Sequence, residues 1–360
     1  MSARFKVLCA AAIISAVLLS LPGLAAAAPA QTMTWTNTGK VGRSPVLAFA
    51  WNGTNTLYAG CENGHVYSRT GPGDWSDTGA PGSGNILSLA WDGTDTLYAG
   101  DSGDHVYSKT GTEAWSDIGA PGGGDIYALA WNGTDTLYAG CENGYVYSKT
   151  GSGSWGDTGY IGSGNVYALA WNGTDTLYAG GYGSKVYSRT GTGAWIDTGA
   201  PGGGDIYALA WDGTNTLYAG YVSGHVHSKT GTGGWEDTGF TGSFYTYALA
   251  WDGTDTLYAG CRDGRVYSKT GTEDWTDTGG PGGYPVKALA WDGTNNTLYA
   301  GGDDGHAYSK KVLEPWGDTG KPGSGNIEAL AWDGKDTLYA GGVDDHVYSK
   351  TGAARWSDTG

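Results

Sequence analysis

Residues Asp125 to Gly159 read DIYALAWNGTDTLYAGCENGYVYSKTGSGSWGDTG. The first seven alternate and are rich in residues that suit a pleated sheet, and Asn132-Gly133-Thr134-Asp135 is a tight-turn signal, because Gly after Asn accommodates a positive φ. Thr136 to Gly140 is then the returning strand. Glu142-Asn143-Gly144 turns the chain again into Tyr145 to Thr150, and a Gly/Ser loop leads to Trp155-Gly156-Asp157-Thr158-Gly159. The stretch predicts four short antiparallel strands, A to D, with no helix between them.

Near copies of this unit recur along the chain, their strand A tryptophans falling at Trp51, Trp91, Trp131, Trp171, Trp211, Trp251, Trp291 and Trp332. The spacing is 40 residues, with one extra residue in the seventh unit, where Asn295-Asn296 replaces a single residue. A fixed period of this size in an all-β unit points to propeller blades. Strand A carries Ala128 and Ala130 at alternate positions, opposite Tyr127, Leu129 and Trp131, as an innermost strand crowded near an axis requires. Eight complete sets run from residue 40 to 360, and a surplus D-like strand, TMTWTNTG, precedes them at 32–39. The expected fold is all-β: an eight-bladed β-propeller of four-stranded antiparallel blades in one domain, 31–360. Either chain end can fill the last D position.

Residues 1–30 carry Arg4 and Lys6, an apolar run from Val7 to Leu21 and then small residues, the pattern of a signal peptide. No other stretch could cross a bilayer, so a secreted, periplasmic or cell-surface protein without a membrane span is expected once the signal is removed. The formal charge of −16 becomes −18 without Arg4 and Lys6, which disfavours nucleic acid and acidic lipid as partners.

Ser148-Lys149-Thr150-Gly151-Ser152-Gly153-Ser154-Trp155 resembles the Asp-box of bacterial neuraminidase-type (BNR) repeats, a Ser-x-Asp-x-Gly-x-x-Trp turn between strands C and D of sialidase-like propellers. The Ser-to-Trp spacing is kept in all eight units, but the box Asp is replaced by Thr in seven and by Lys311 in the other. The "LYAG…G.VY.S…W" blades are also similar to those of the photosystem-assembly-factor type. The resemblance implies a propeller. A sialidase would further need three clustered arginines, a Tyr/Glu pair and an acid, and no such triad can be nominated.

Other motifs have plainer readings. Asp-Thr-Gly occurs in seven units, as at Asp77, Asp157 and Asp237, with the variant Asp-Ile-Gly at Asp117, whereas an aspartic protease needs two such carboxylates face to face; bonding of Asp and Thr to backbone at the end of strand D explains it better. Cys61, Cys141 and Cys261 share one repeat position, too far apart for a disulfide, and read as small, partly buried side chains. His65, His105, His225, His306 and His346 share another, filled elsewhere by Tyr145, Lys185 and Arg265; one histidine per blade does not make a metal site, and no cofactor is expected.

The strand order puts the B–C and D–A loops at one end of every blade and the A–B and C–D turns at the other. The units differ most in the B–C and D–A loops, where aromatics and charge enter; Tyr182 is one such residue. The loop into the sixth unit, Phe240-Thr241-Gly242-Ser243-Phe244-Tyr245, replaces a Gly-rich connector. A shallow site is expected from Tyr221, Phe240, Phe244, Tyr245, Arg262 and Arg265, with the histidine-position residues as secondary contacts. Aromatics beside charge suit sugar stacking or a protein hot spot. The expected role is non-enzymatic binding of a glycan or extracellular protein; the alternatives are a degenerate sialidase-like glycosidase and a purely structural module.

Overall fold

The computed structural model describes residues 35–42, 44–162, 164–311 and, beyond these, only the strands 327–332, 337–342, 347–351 and 357–358. The chain divides into two compact units, Met1–Lys311 and Val312–Gly360.

The first unit is a ring of seven four-stranded blades, not the expected eight. In blade three, strands A to D are Ile126–Trp131, Thr136–Cys141, Tyr145–Thr150 and Gly156–Tyr160, adjacent in that order and antiparallel. Blades one, two, four, five and six repeat this order within a single repeat. Strand A of each blade lies beside strand A of the next, and Val46–Trp51 of blade one lies beside Val286–Asp292 of blade seven. The ring therefore closes within the first unit. The eighth repeat forms a four-stranded sheet of its own, Ile327–Trp332, Thr337–Gly342, Val347–Thr351 and Ser357–Asp358.

The surplus strand explains the count. Thr36–Lys40 pairs antiparallel with strand C of the seventh repeat, His306–Lys311, and serves as strand D of blade seven. It reproduces the bonds of an ordinary strand D. In blade three, Thr158 donates to the carbonyl of Val146 and the N–H of Gly159 donates to Asp157; in the surplus strand, Thr38 donates to the carbonyl of Ala307 (2.7 Å) and Gly39 donates to Asn37 (2.8 Å). Its Trp35 abuts Gly279 of blade six, and Trp75 of blade one abuts its Gly39, as each strand D tryptophan abuts the Asp-Thr-Gly glycine of the blade before it.

The seventh repeat is also poorly built to supply its own strand D. In blades one to six the C–D turn begins at a glycine held at φ +52° to +54° (Gly71, Gly111, Gly151, Gly191, Gly231, Gly271). Val312 stands at the corresponding place in the seventh repeat, and a β-branched side chain is strained in that left-handed region. The repeat's own Trp316-Gly317-Asp318-Thr319-Gly320 lies outside the described residues.

Between blades the core repeats as well. Leu137, Ile126, Ala139 and Cys141 of blade three pack with Ala90 and Val106 of blade two. A fully buried leucine such as Leu137 contributes about 2 kcal/mol of transfer free energy, so a blade is stable chiefly through its neighbours. Cys61, Cys141 and Cys261 are wholly rather than partly buried, and all three are free thiols. Burial pushes Cys61 and Cys141 up to about 12 and Cys261 up to about 11, which leaves them inert.

Candidate ligand-binding face

Two ends of the channel can be compared from the residues that line them. At the A–B end, hollows of about 570 and 780 Å³ open between tryptophans such as Trp51, Trp131, Trp171 and Trp211. Blades one to six are alike there, blade seven differing by its extra residue, and the polar side chain of the turn is already spent: Asn132 Oδ1 accepts from the N–H groups of Thr134, Asp135 and Thr136. Asp92 does the same in blade two; burial raises its pKa, but the N–H groups of Thr96, Thr94 and Asp95 and the Thr94 hydroxyl more than offset this and hold the carboxyl below its usual range.

The opposite end differs from blade to blade. Among the described residues, Tyr160, Tyr182, Phe240, Phe244, Tyr284 and Ile196 are the exposed large apolar side chains, and all but Ile196 stand in or beside D–A and B–C loops.

The six expected site residues do not form one cluster. Phe244 (66 % exposed) meets Phe240 edge to face at 6.0 Å, and Phe240 lies 5.4 Å from His225. Tyr245, held at φ +63°, turns the other way and packs on Tyr207 (6.0 Å) and Tyr247 (5.8 Å), with the Arg262 guanidinium 5.0 Å above its ring. Arg265 is exposed but bonded to Asp277 on strand D of its own blade. Tyr221 is 4 % exposed: it ends strand B, at the position of the buried cysteines, and its hydroxyl bonds His227 Nδ1 at 3.0 Å. Its place in the face is thus structural, because the last residue of strand B points between blades.

The secondary positions sit on the outer strands. His65, His105, His225 and Lys185 pair with Asp77, Asp117, Asp237 and Asp197 of strand D, and His306 bonds Asn37 of the surplus strand. Tyr145 packs on Tyr160 at 5.2 Å, while Tyr182 is open to solvent. His346 lies outside the described residues. No group of three or more His, Cys, Asp or Glu suited to a metal occurs among the described residues.

One feature escaped the sequence reading. Register skips once near the start of every strand A: Ile126 faces Cys141 but Ala128 faces Gly140, so Tyr127 is an extra, bulged residue. The bulge re-aims that side chain, and at the channel mouth the bulged positions of successive blades come together as Leu47, Leu87, Tyr127, Tyr167, Tyr207 and Lys287, around a cavity of about 200 Å³. Tyr127 and Tyr167 are 5.2 Å apart, Tyr167 and Tyr207 5.3 Å, Tyr207 and Tyr247 5.5 Å, and Lys287 Nζ lies 4.7 Å from the Tyr247 centroid. Polar residues precede them: Asp125 lies near Tyr127, Asn165 donates to Tyr167 (3.1 Å), and Asp205 lies near Tyr207. Burial, then the neighbouring carboxylates, pushes Tyr127 and Tyr207 up to about 12. The available signal was the identity of this position across repeats, which runs Leu, Leu, Tyr, Tyr, Tyr, Tyr, Lys, Glu.

No family model matches the chain, and no curated protein matches it. Among solved structures, a computationally designed protein, Ika8, superposes with a TM-score of 0.56 at 16 % identity, covering 76 % of this chain and 100 % of that one. At such low identity the likeness is one of fold alone, and it joins the strand topology in showing a β-propeller with four-stranded antiparallel blades.

Proposed function

We propose that this chain is an exported, non-enzymatic binding module that holds a glycan or an extracellular protein on the face made by its B–C and D–A loops. The observation that carries the reading is the gathering of Tyr160, Tyr182, Phe240, Phe244 and Tyr284 on that face, with 44–66 % of each exposed. Large apolar side chains left in water, ringed by polar loops, mark recognition surfaces. Kinship with Asp-box repeats rests on the Ser-to-Trp spacing. In the box itself, the Asp position is held by residues such as Thr150, whose hydroxyl bonds Thr136 (2.8 Å) rather than the turn.

A glycosidase of the sialidase kind gains no support from the arginines among the described residues. Arg69 and Arg189 donate to the carbonyls of Gly73 and Gly193 in C–D turns, Arg265 is paired with Asp277, and Arg262 lies over Tyr245. The reading is tested by screening residues 31–360 against glycans and secreted proteins, beside a Phe244→Ala/Tyr245→Ala variant. Loss of the wild-type ligand in the variant is expected; unchanged binding of every ligand would overturn the proposal.

A further inference from the structure

We infer that the tyrosine arc at the channel mouth seats an oligosaccharide bearing a single acidic group, whose anion lies between Arg262 and Lys287. This rests on the binding role proposed above and names its ligand class. The arc offers what a sugar needs: half-buried aromatic faces and edges from Tyr127 to Tyr247 for the C–H sides of the rings, and Asp125, Asn165 and Asp205 beside them to bond hydroxyls.

Charge makes the assignment narrower. Among the cations on the outer strands at this end, Lys185 is neutralised by Asp197 and Arg265 by Asp277 within their own blades, while Lys40 ends the outermost strand of blade seven. Arg262 and Lys287 are different. Each lies over a tyrosine, Tyr245 and Tyr247, whose rings are 5.8 Å apart, and neither takes part in an ion pair among the described residues. Two cations on adjoining rings suit one carboxylate or sulfate. Asp303 is close enough to act on Tyr247, and Asp125 and Asp205 occupy the rest of the arc. A ligand with acid groups along its whole length would therefore be repelled from most of the site, whereas one with a single terminal acid would match it.

The test is calorimetric titration of residues 31–360 with three probes: an oligosaccharide ending in glucuronic acid, the same oligosaccharide with that carboxyl reduced to the alcohol, and a heparin oligosaccharide. The acid-ended probe is expected to bind about tenfold more tightly than its reduced counterpart, and heparin more weakly than either. An Arg262→Gln/Lys287→Gln variant should erase the preference while keeping affinity for the reduced probe; Tyr207→Ala should weaken both. Thermal melts of the variants establish that they fold. Equal affinity for the acid-ended and reduced probes, or a preference that survives the double variant, overturns this inference and leaves the binding role standing. If no carbohydrate binds the wild type, this inference falls, and the screen with Phe244→Ala/Tyr245→Ala decides separately whether the face binds protein.

Discussion

Trp51 in strand A of blade one lies face to face with Tyr299 in strand B of blade seven, ring centroids 6.0 Å apart and planes inclined by 25°. The six joins between consecutive repeats, from Tyr58 on Trp91 to Tyr258 on Trp291, show the same stack at 5.6–6.0 Å and 16–22°. The ring thus has no seam where its first and seventh repeats meet. A double-mutant cycle on Trp51→Ala and Tyr299→Ala, read by urea unfolding, should give a coupling of about 0.5–1.5 kcal/mol, equal to that of Tyr98 with Trp131. Additive effects at the first pair would contradict closure between repeats one and seven.

Removal of residues 31–40 should lower the melting temperature sharply, because it deprives blade seven of its strand D and leaves His306–Lys311 as an open edge. A peptide spanning residues 32–40, added in excess, should restore much of the loss in a concentration-dependent way. The milder Trp35→Ala change should cost about 3 kcal/mol. An unchanged melting curve after the deletion would show that the strand is not part of the ring.

Lys310 bears a cost of closure. In other blades the equivalent lysine or arginine reaches the C–D turn, as Lys149 reaches Gly153 and Arg69 reaches Gly73; Lys310 is 3 % exposed, donates to the carbonyl of Thr278 and lies 5.4 Å from the Trp35 ring. Burial pushes its pKa down to about 8 from 10.5. A depressed lysine disfavours the folded state fully below the folded pKa, and the penalty fades as pH rises from about 8 to 10.5. Lys310→Met should accordingly stabilise the protein at pH 7 by about 1–3 kcal/mol, with a smaller gain at pH 10, measured by urea unfolding at both.

His105 and Asp117 form an outer ion pair at 2.8 Å. The bond to Asp117 raises the histidine above 6.5, while for Asp117 burial is outweighed by the N–H of Gly119 and the His105 ring, which lower it below 3.8. The raised histidine contributes stability that is lost as pH rises through its folded pKa; the lowered carboxyl contributes stability lost as pH falls through its own. The pair therefore acts between those two values, and, being well exposed, contributes no more than about 1 kcal/mol. Asp117→Asn should return the His105 titration, followed by NMR, toward 6.5. A titration that does not move would contradict the pairing.

The strand order, the turns and the two-ended arrangement of loops were all legible in the repeat, because period-two alternation and Asn-Gly turns are local signals. The blade count was not. Every repeat carries the same Tyr and Trp for its joins, so the motif alone does not limit how many repeats close a ring; the deciding features are the NTG of Asn37-Thr38-Gly39, which matches Asp-Thr-Gly, and Val312 where a left-handed glycine is needed. Phe240, Phe244 and Tyr245 are conspicuous in the sequence because loop aromatics stand out against glycine, and Phe240 and Phe244 are exposed in the structure. The burial of Tyr221 is not legible because the buried end of strand B runs directly into an exposed loop, and the gathering of Tyr127, Tyr167, Tyr207 and Tyr247 is not legible because a bulge leaves no mark in a strand that still alternates.

The most direct test of the seven-bladed ring is disulfide capture of the surplus strand. Thr36 is in register with Ser309 of the seventh repeat, and Ser349 is the equivalent residue of the eighth. The native Cys61, Cys141 and Cys261 are buried and should not compete. Under mild oxidation a Thr36→Cys/Ser309→Cys variant of residues 31–360 should form an intramolecular cross-link, detected by peptide mapping, while Thr36→Cys/Ser349→Cys should stay reduced. Cross-linking to position 349 and not to 309 would contradict the seven-bladed closure.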